Sequence, residues 1–272
     1  MILDERDVAA AVHRFDAGVV VASRFHLDGT RVHAPDGDGT TMLIDALETW
    51  HRHGFVGDVD VVLSEEEAPI VSASLPWLTV REEAQFVVHR FAHGAAVLHR
   101  EQAFDAAAIT VAPALHIEVN MADHEAMEAA WALERSEQNV SQGAYVSGQV
   151  HELGLVARLG MQAQAGPVWP PRGADPDGGA PHAGPTLSMR GRVVSWTRLI
   201  AAGCPSEFAI RAPVLDGLTS MILAFDEGPS GVFLHADGHP SEVAIDDEVN
   251  LVVRRIYAQD GMLRYGRKAI RA

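Results

Sequence analysis

Glu248-Val-Asn-Leu-Val-Val-Arg-Arg-Ile-Tyr-Ala-Gln-Asp-Gly-Met-Leu-Arg-Tyr-Gly-Arg-Lys268 is the stretch that decides the fold. Val249, Leu251 and Val253 fall on alternate positions, as one face of a strand requires. Asp260-Gly261 is a two-residue turn signal, and Leu263 and Tyr265 begin a returning strand, so the stretch reads as a β-hairpin. Upstream stand Arg192-Val-Val-Ser-Trp-Thr197, Thr219-Ser-Met-Ile-Leu-Ala-Phe225 and Gly231-Val-Phe-Leu-His235. Each is short, rich in β-branched or aromatic residues, and bounded by turn residues. Five such strands at regular spacing predict a small closed or partly closed barrel.

The same residues carry a family resemblance. The order Gly191-Arg-Val-Val-Ser-Trp-Thr197, Ala212-Pro213, Phe225-Asp-Glu-Gly228, Arg254-Arg-Ile-Tyr257, Asp260-Gly261 and Tyr265-Gly266 resembles the zinc-ribbon and OB-fold family. Members of that family accompany thiolases and related acyl-CoA enzymes as accessory subunits. The likeness covers roughly residues 150–272. It implies a helix before the ribbon near residues 150–159, then two Cys-x-x-Cys-Gly knuckles around a Pro-Pro-Arg stretch. Here Trp169-Pro-Pro-Arg172 is kept, but the knuckle positions hold Gln162 and Ala165 before Gly166, and Asp175 and Gly178 before Gly179. Structural zinc supplies folding energy outright. A ribbon without it must hold by packing, or relax into a loop, and the Gly-, Pro- and Asp-rich residues 174–185 favour the loop. No zinc is expected.

The fold class that follows is α+β: an α/β domain over residues 1–140, a helix with a degenerate metal-free ribbon over 141–185, and a five-stranded OB-fold barrel over 186–272. At 272 residues the chain has room for two domains with their own cores. No apolar run approaches the length of a membrane span. Met1-Ile-Leu-Asp-Glu-Arg-Asp7 is charged, with no apolar signal core, which makes a cytoplasmic home the expectation. The single cysteine, Cys204, excludes a disulfide framework. Net charge is −16, yet residues 186–272 hold ten basic and ten acidic side chains, so the excess lies in the first 185 residues. A neutral barrel in an acidic chain argues against a nucleic-acid partner.

In the first half, residues 7–15 have apolar positions at helical spacing, and Ala17-Gly-Val-Val-Val-Ala22 reads as a buried strand. Gly29 to Thr41 reads as a loop, with Thr40 or Thr41 capping a helix over 42–52. Its Asp36-Gly-Asp-Gly-Thr-Thr41 run has two readings, an anion or metal site at a helix start or a capped loop. Two aspartates repel phosphate, which favours the cap. The loop also resembles the acidic loop before the first long helix of hydroxymethylglutaryl-CoA synthase-like proteins, a likeness that transfers no activity. Residues 58–63 predict a strand, 81–94 a helix, 106–111 and 115–119 strands. Asp123 is expected to cap a helix to about residue 138, with Met127, Ala130, Trp131 and Leu133 on its apolar face.

Fourteen histidines include His89 and His93 four apart, with His99 close by, and His51 and His53 around Arg52. A helical pair at that spacing can bind zinc. No general base sits between His89 and His93, so solvated or structural histidines are expected. Cys204, in a turn between strands, lacks the setting of a thiolase nucleophile. No Gly-x-Ser-x-Gly elbow or dinucleotide fingerprint appears.

What the resemblance implies is a non-catalytic subunit docked on a thiolase-fold protein in a hetero-oligomer. It would help hold a coenzyme A thioester or an acyl group on acyl carrier protein, with no membrane or nucleic-acid partner. The candidate contacts are Arg254, Arg255, Arg264, Arg267, Lys268 and Arg271 on the hairpin, whose cations suit phosphates, with Arg172 and Trp196 from the matched motifs. The alternative for the hairpin is a solvated strand edge whose charges block pairing. The alternative for the whole chain is an acyl transferase or lyase with its catalytic residues in the N-terminal domain. A third, single-strand binding by the barrel, predicts steep salt dependence.

Overall fold

The structure is a computed structural model that describes residues 1–7, 9–136, 148–166, 168–170, 184–239, 242–259 and 261–272; for 148–153 and 259 it describes the backbone alone. The chain divides into two compact units, Met1–Met121 and Ala122–Ala272. Helices and strands are both well represented, in an α+β arrangement. Among the described residues no helix is long and apolar enough to cross a membrane.

The first unit opens with β1 (Ile2–Leu3), β2 (Glu5–Arg6), β3 (Ala11–Phe15), β4 (Gly18–Ala22), β5 (Phe25–Leu27) and β6 (Thr30–Arg31). Then come α1 (Gly39–Arg52), β7 (Val59–Asp60), α2 (Glu67–Ser74), β8 (Phe86–Phe91), β9 (Gly94–His99), β10 (Thr110–Val111) and β11 (Ile117–Glu118). Six strands form the main sheet in the order β2-β3-β4-β9-β8-β7, antiparallel except for β7 beside β8. Every residue of β4 is buried, as expected for Val19-Val-Val21 at the centre of a covered sheet. Leu43, Leu47 and Trp50 recur along one face of α1 and are buried. A fully buried side chain of that size contributes about 1.5–3 kcal/mol relative to exposure.

Several expectations change here. Residues 11–15 are a strand rather than part of a helix, because Val12 pairs with Val21 across an antiparallel ladder. Residues 86–91 are β8, not helix. The Val87-Val88 pair favours extended backbone, and β8 turns into β9 through Ala92 and His93, the latter at φ 59°. The neighbouring Gly94 leaves no room for a Cβ, which would meet the Phe91 ring. α1 starts three residues earlier than expected, and its cap is Asp38. That carboxylate accepts from Thr41 N at 3.0 Å, while the Thr41 hydroxyl serves the Asp38 backbone, a reciprocal capping box. Residues 58–63 supply only the short β7, and residues 106–108 form a 3₁₀ turn before β10.

The second unit comprises α3 (Met121–Arg135, whose first residue closes the preceding unit), α4 (Gly148–Leu159), β12 (Arg190–Leu199), β13 (Leu218–Ala224), β14 (Ser230–Leu234), β15 (Glu248–Gln259) and β16 (Met262–Arg271). On α3 Met127, Ala130 and Trp131 are buried as expected, but Leu133 is exposed and Glu134 takes an inward place. α4 falls on the helix expected before the ribbon. The five strands pair antiparallel in the order β14-β13-β12-β15-β16. The two end strands meet where His235 and Ala269 form a parallel bridge and Ala236 N donates to Ala269 O at 2.9 Å, so the barrel is nearly closed. Its core is Val193, Met221, Leu223, Phe225, Phe233, Val249, Leu251 and Ala269, with Met161, Ala163 and Leu187 packed in from the preceding segment. At the position where the resemblance would place the first knuckle, Gln164 and Val168 pair across a turn through Gly166. The second knuckle, 175–179, lies outside the described residues.

Candidate ligand-binding site

The expected site residues part company in the structure. Arg254, Arg255, Arg264, Arg267 and Lys268 are all buried, so the hairpin is not a solvated edge. The physical reason is cover from elsewhere in the unit: α3 supplies acids and an aromatic ring to the same hairpin, and the chain after β14 supplies another acid. Arg254 donates to Val253 O, and Arg267 Nε donates to Leu159 O at 2.8 Å. Arg271 is exposed near Asp247, at 3.6 Å. Trp196 lies half exposed on β12 opposite Met221. Arg172 lies outside the described residues.

Lys268, the only lysine of the chain, has no exposed side-chain surface and donates to Asp237 Oδ2 at 3.2 Å. Arg211, equally buried, donates from Nε to Glu134 Oε1 at 2.7 Å, to Ile256 O from Nη2, and lies 3.6 Å from Asp237. Two cations and two carboxylates thus balance inside the unit. Trp131 is clasped between guanidinium groups, with Arg211 Cζ 3.9 Å and Arg255 Cζ 4.4 Å from its ring centre. Burial raises the Glu134 pKa, and the Arg211 charge and hydrogen bond oppose that rise. Groups so committed hold α3 on the barrel and are not open to an incoming phosphate.

The open space lies beside them. A cavity of about 140 Å³ is lined by residues 232–234 of β14 and 265–267 of β16. It therefore lies between the two end strands, upstream of their His235–Ala269 joint. Trp169 covers it: the indole stacks on Phe233 at 4.7 Å and 14°, flat over Gly231, where any Cβ would strike the ring. Phe208 and Tyr257 meet edge to face at 6.2 Å and add a second aromatic wall. Burial raises the Tyr257 pKa, so the phenol stays protonated at neutral pH. Arg158 and Arg267 also line the cavity, and no carboxylate among the described residues does. The Cys204 thiol is pushed up by burial, away from the thiolate that a nucleophile needs.

Several histidines of the first unit are held in ring and backbone contacts. His26 and His116 stack at 3.6 Å, each bonded to a backbone carbonyl, Arg24 O and Val111 O. His89 sits on β8 against Phe104, with its pKa lowered by burial, and His93 is in the turn. Among the described residues no group of three or more His, Cys, Asp or Glu side chains is placed to hold a metal.

Sequence reasoning missed Glu134, Arg211 and Asp237. One signal was present: a lone lysine in a 272-residue chain is an unusual choice for a solvated surface. No family model matches this chain, and no curated protein matches it.

Proposed function

We infer that the chain is a non-catalytic accessory subunit whose second unit, an OB-fold barrel with a metal-free ribbon, holds the acyl end of a thioester for a thiolase-fold partner. The partner enzyme supplies the reacting groups, in a cytoplasmic hetero-oligomer. Coenzyme A or acyl carrier protein carries the acyl group. The observation that supports this most is the aromatic cavity between β14 and β16, with two arginines and no carboxylate in its lining. An apolar recess beside fixed cations suits an acyl chain followed by an anionic carrier. Burial takes Arg254, Arg255, Arg264 and Lys268 of the hairpin out of contact with a carrier phosphate, which leaves Arg158 and Arg267 in the cavity lining and the exposed Arg271 as the candidate cations.

Titration calorimetry with acyl-CoA and with free coenzyme A tests the reading, alongside turnover assays and purification of the tagged chain from its source. Acyl-dependent affinity, no turnover alone, and co-purification of a thiolase-fold chain are expected. Turnover by the isolated chain, or affinity indifferent to the acyl group, would reject it.

A further inference from the structure

The cavity also limits what can enter. We propose that it selects compact, ring-bearing acyl groups, aromatic acyl thioesters above all, and turns away long unbranched chains; this rests on the acyl-binding reading above.

Size is the first argument. Pockets that enclose a whole drug-sized ligand run to about 300–1,000 Å³. At about 140 Å³ this cavity takes only the end of a thioester. A dry protein cavity of about 150 Å³ accommodates benzene, so the space suits one ring or about six to eight carbon atoms. A long acyl chain would leave most of its methylenes in water.

Shape is the second argument. Trp169 and Phe233 form a parallel stack, and Tyr265 joins them in the lining. Aromatic walls favour a ring by offset or edge contacts worth about 0.5–1.5 kcal/mol beyond area burial. The walls also fit closely. Trp169 is backed by Gly231, which leaves no slack beneath the indole, and Gly266 is closed over by Ile256.

Charge sets the direction of entry. Arg267 is fixed at Nε by Leu159 O, and Arg158 lies in the same lining. The thioester carbonyl and the anionic carrier belong at that side, with the ring against Trp169 and Phe233.

The test is calorimetry on the full chain with benzoyl-CoA, octanoyl-CoA, palmitoyl-CoA and free coenzyme A. It is repeated on Ser220→Phe, which fills the cavity from β13, and that variant's fold is checked by circular dichroism. Benzoyl-CoA should bind about tenfold or more tighter than palmitoyl-CoA and free coenzyme A, the scale set by burying one ring. Ser220→Phe should erase that margin. Affinity that rises with chain length to palmitoyl, or a margin untouched by Ser220→Phe, overturns the selectivity while the acyl-binding reading stands. If no thioester outbinds free coenzyme A, both fall together.

Discussion

Arg211 has no exposed side-chain surface, and its polar contacts are the buried Glu134 and Asp237 and the carbonyl of the half-buried Ile256. Removing such a cation strips Glu134 of its ion pair away from water, leaving it the Ala258 backbone hydrogen bond and the Lys268 charge, and breaking a buried pair in this way costs about 3–5 kcal/mol. Arg211→Met is therefore expected to lower the stability of the second unit by about that amount, read as a shift in the urea midpoint. Arg211→Met with Glu134→Leu should recover much of the loss, because the stranded charge is gone while Asp237 keeps Lys268 at 3.2 Å. The recovery is the informative part, since a contact that served only as packing would give additive losses in the double variant. Equal or greater loss in the double variant would show that the ions do not act as a cluster.

At the scale of elements, Glu67 ties three pieces of the first unit together. Sitting at the start of α2, it accepts from Ser64 N at 3.1 Å, from the Thr40 hydroxyl of α1 at 3.1 Å, and from Arg90 of β8 at 2.8 Å. Burial pushes its pKa up, but these donors and the Arg90 charge outweigh burial and hold it at about 2. A carboxyl depressed on folding contributes stability that is fully present above its ordinary pKa, and that stability is lost as pH falls from about 4.5 towards about 2. Dry, that shift would be worth about 3 kcal/mol; Arg90 is partly exposed, and screening brings it to about 1 kcal/mol. Glu67→Gln should lower the melting temperature at pH 6 and narrow the gap to the native chain as pH approaches 2.5. A gap that stays constant with pH would remove the ionic part of this tie.

Elements were legible where a local signal exists. The β15–β16 hairpin has Asp260-Gly261, β4 has its valine run, and α3 has Met127, Ala130 and Trp131 at helical spacing. The β8–β9 hairpin lacks such a signal, because its turn is Ala92-His93 with neither glycine nor asparagine. Phe86, Val87, Arg90 and Phe91 also satisfy helical spacing in isolation, and only pairing with Val97 and Leu98 decides for a strand. The site was half legible for the same reason. Sequence marks the hairpin as cationic, but whether Lys268 faces water depends on Asp237 and on α3, and that cover is set by tertiary packing. The cavity itself needs Trp169 to reach across Gly231, a contact no spacing rule anticipates.

For the whole molecule, the division at Met121 and Ala122 places Glu67 and Arg211 in different units, each with its own core. α3 follows the barrel in this division, since Trp131 and Glu134 are committed to Arg211 and Arg255. Among the described residues the two sites have no partner in common, and substitutions at separate sites usually add within about 0.3–0.5 kcal/mol. Glu67→Gln and Arg211→Met combined should therefore destabilise by the sum of their separate effects. Their signatures should also differ: the Glu67→Gln increment fades as pH falls from about 4.5 towards about 2, whereas the charge part of the Arg211→Met increment fades at higher pH, once Glu134, whose pKa burial raises, takes up its proton. Chemical denaturation of the two single variants and the double, at about pH 6, 4.5 and 3, measures both. A coupling well above about 0.5 kcal/mol would mean that the two units unfold as one.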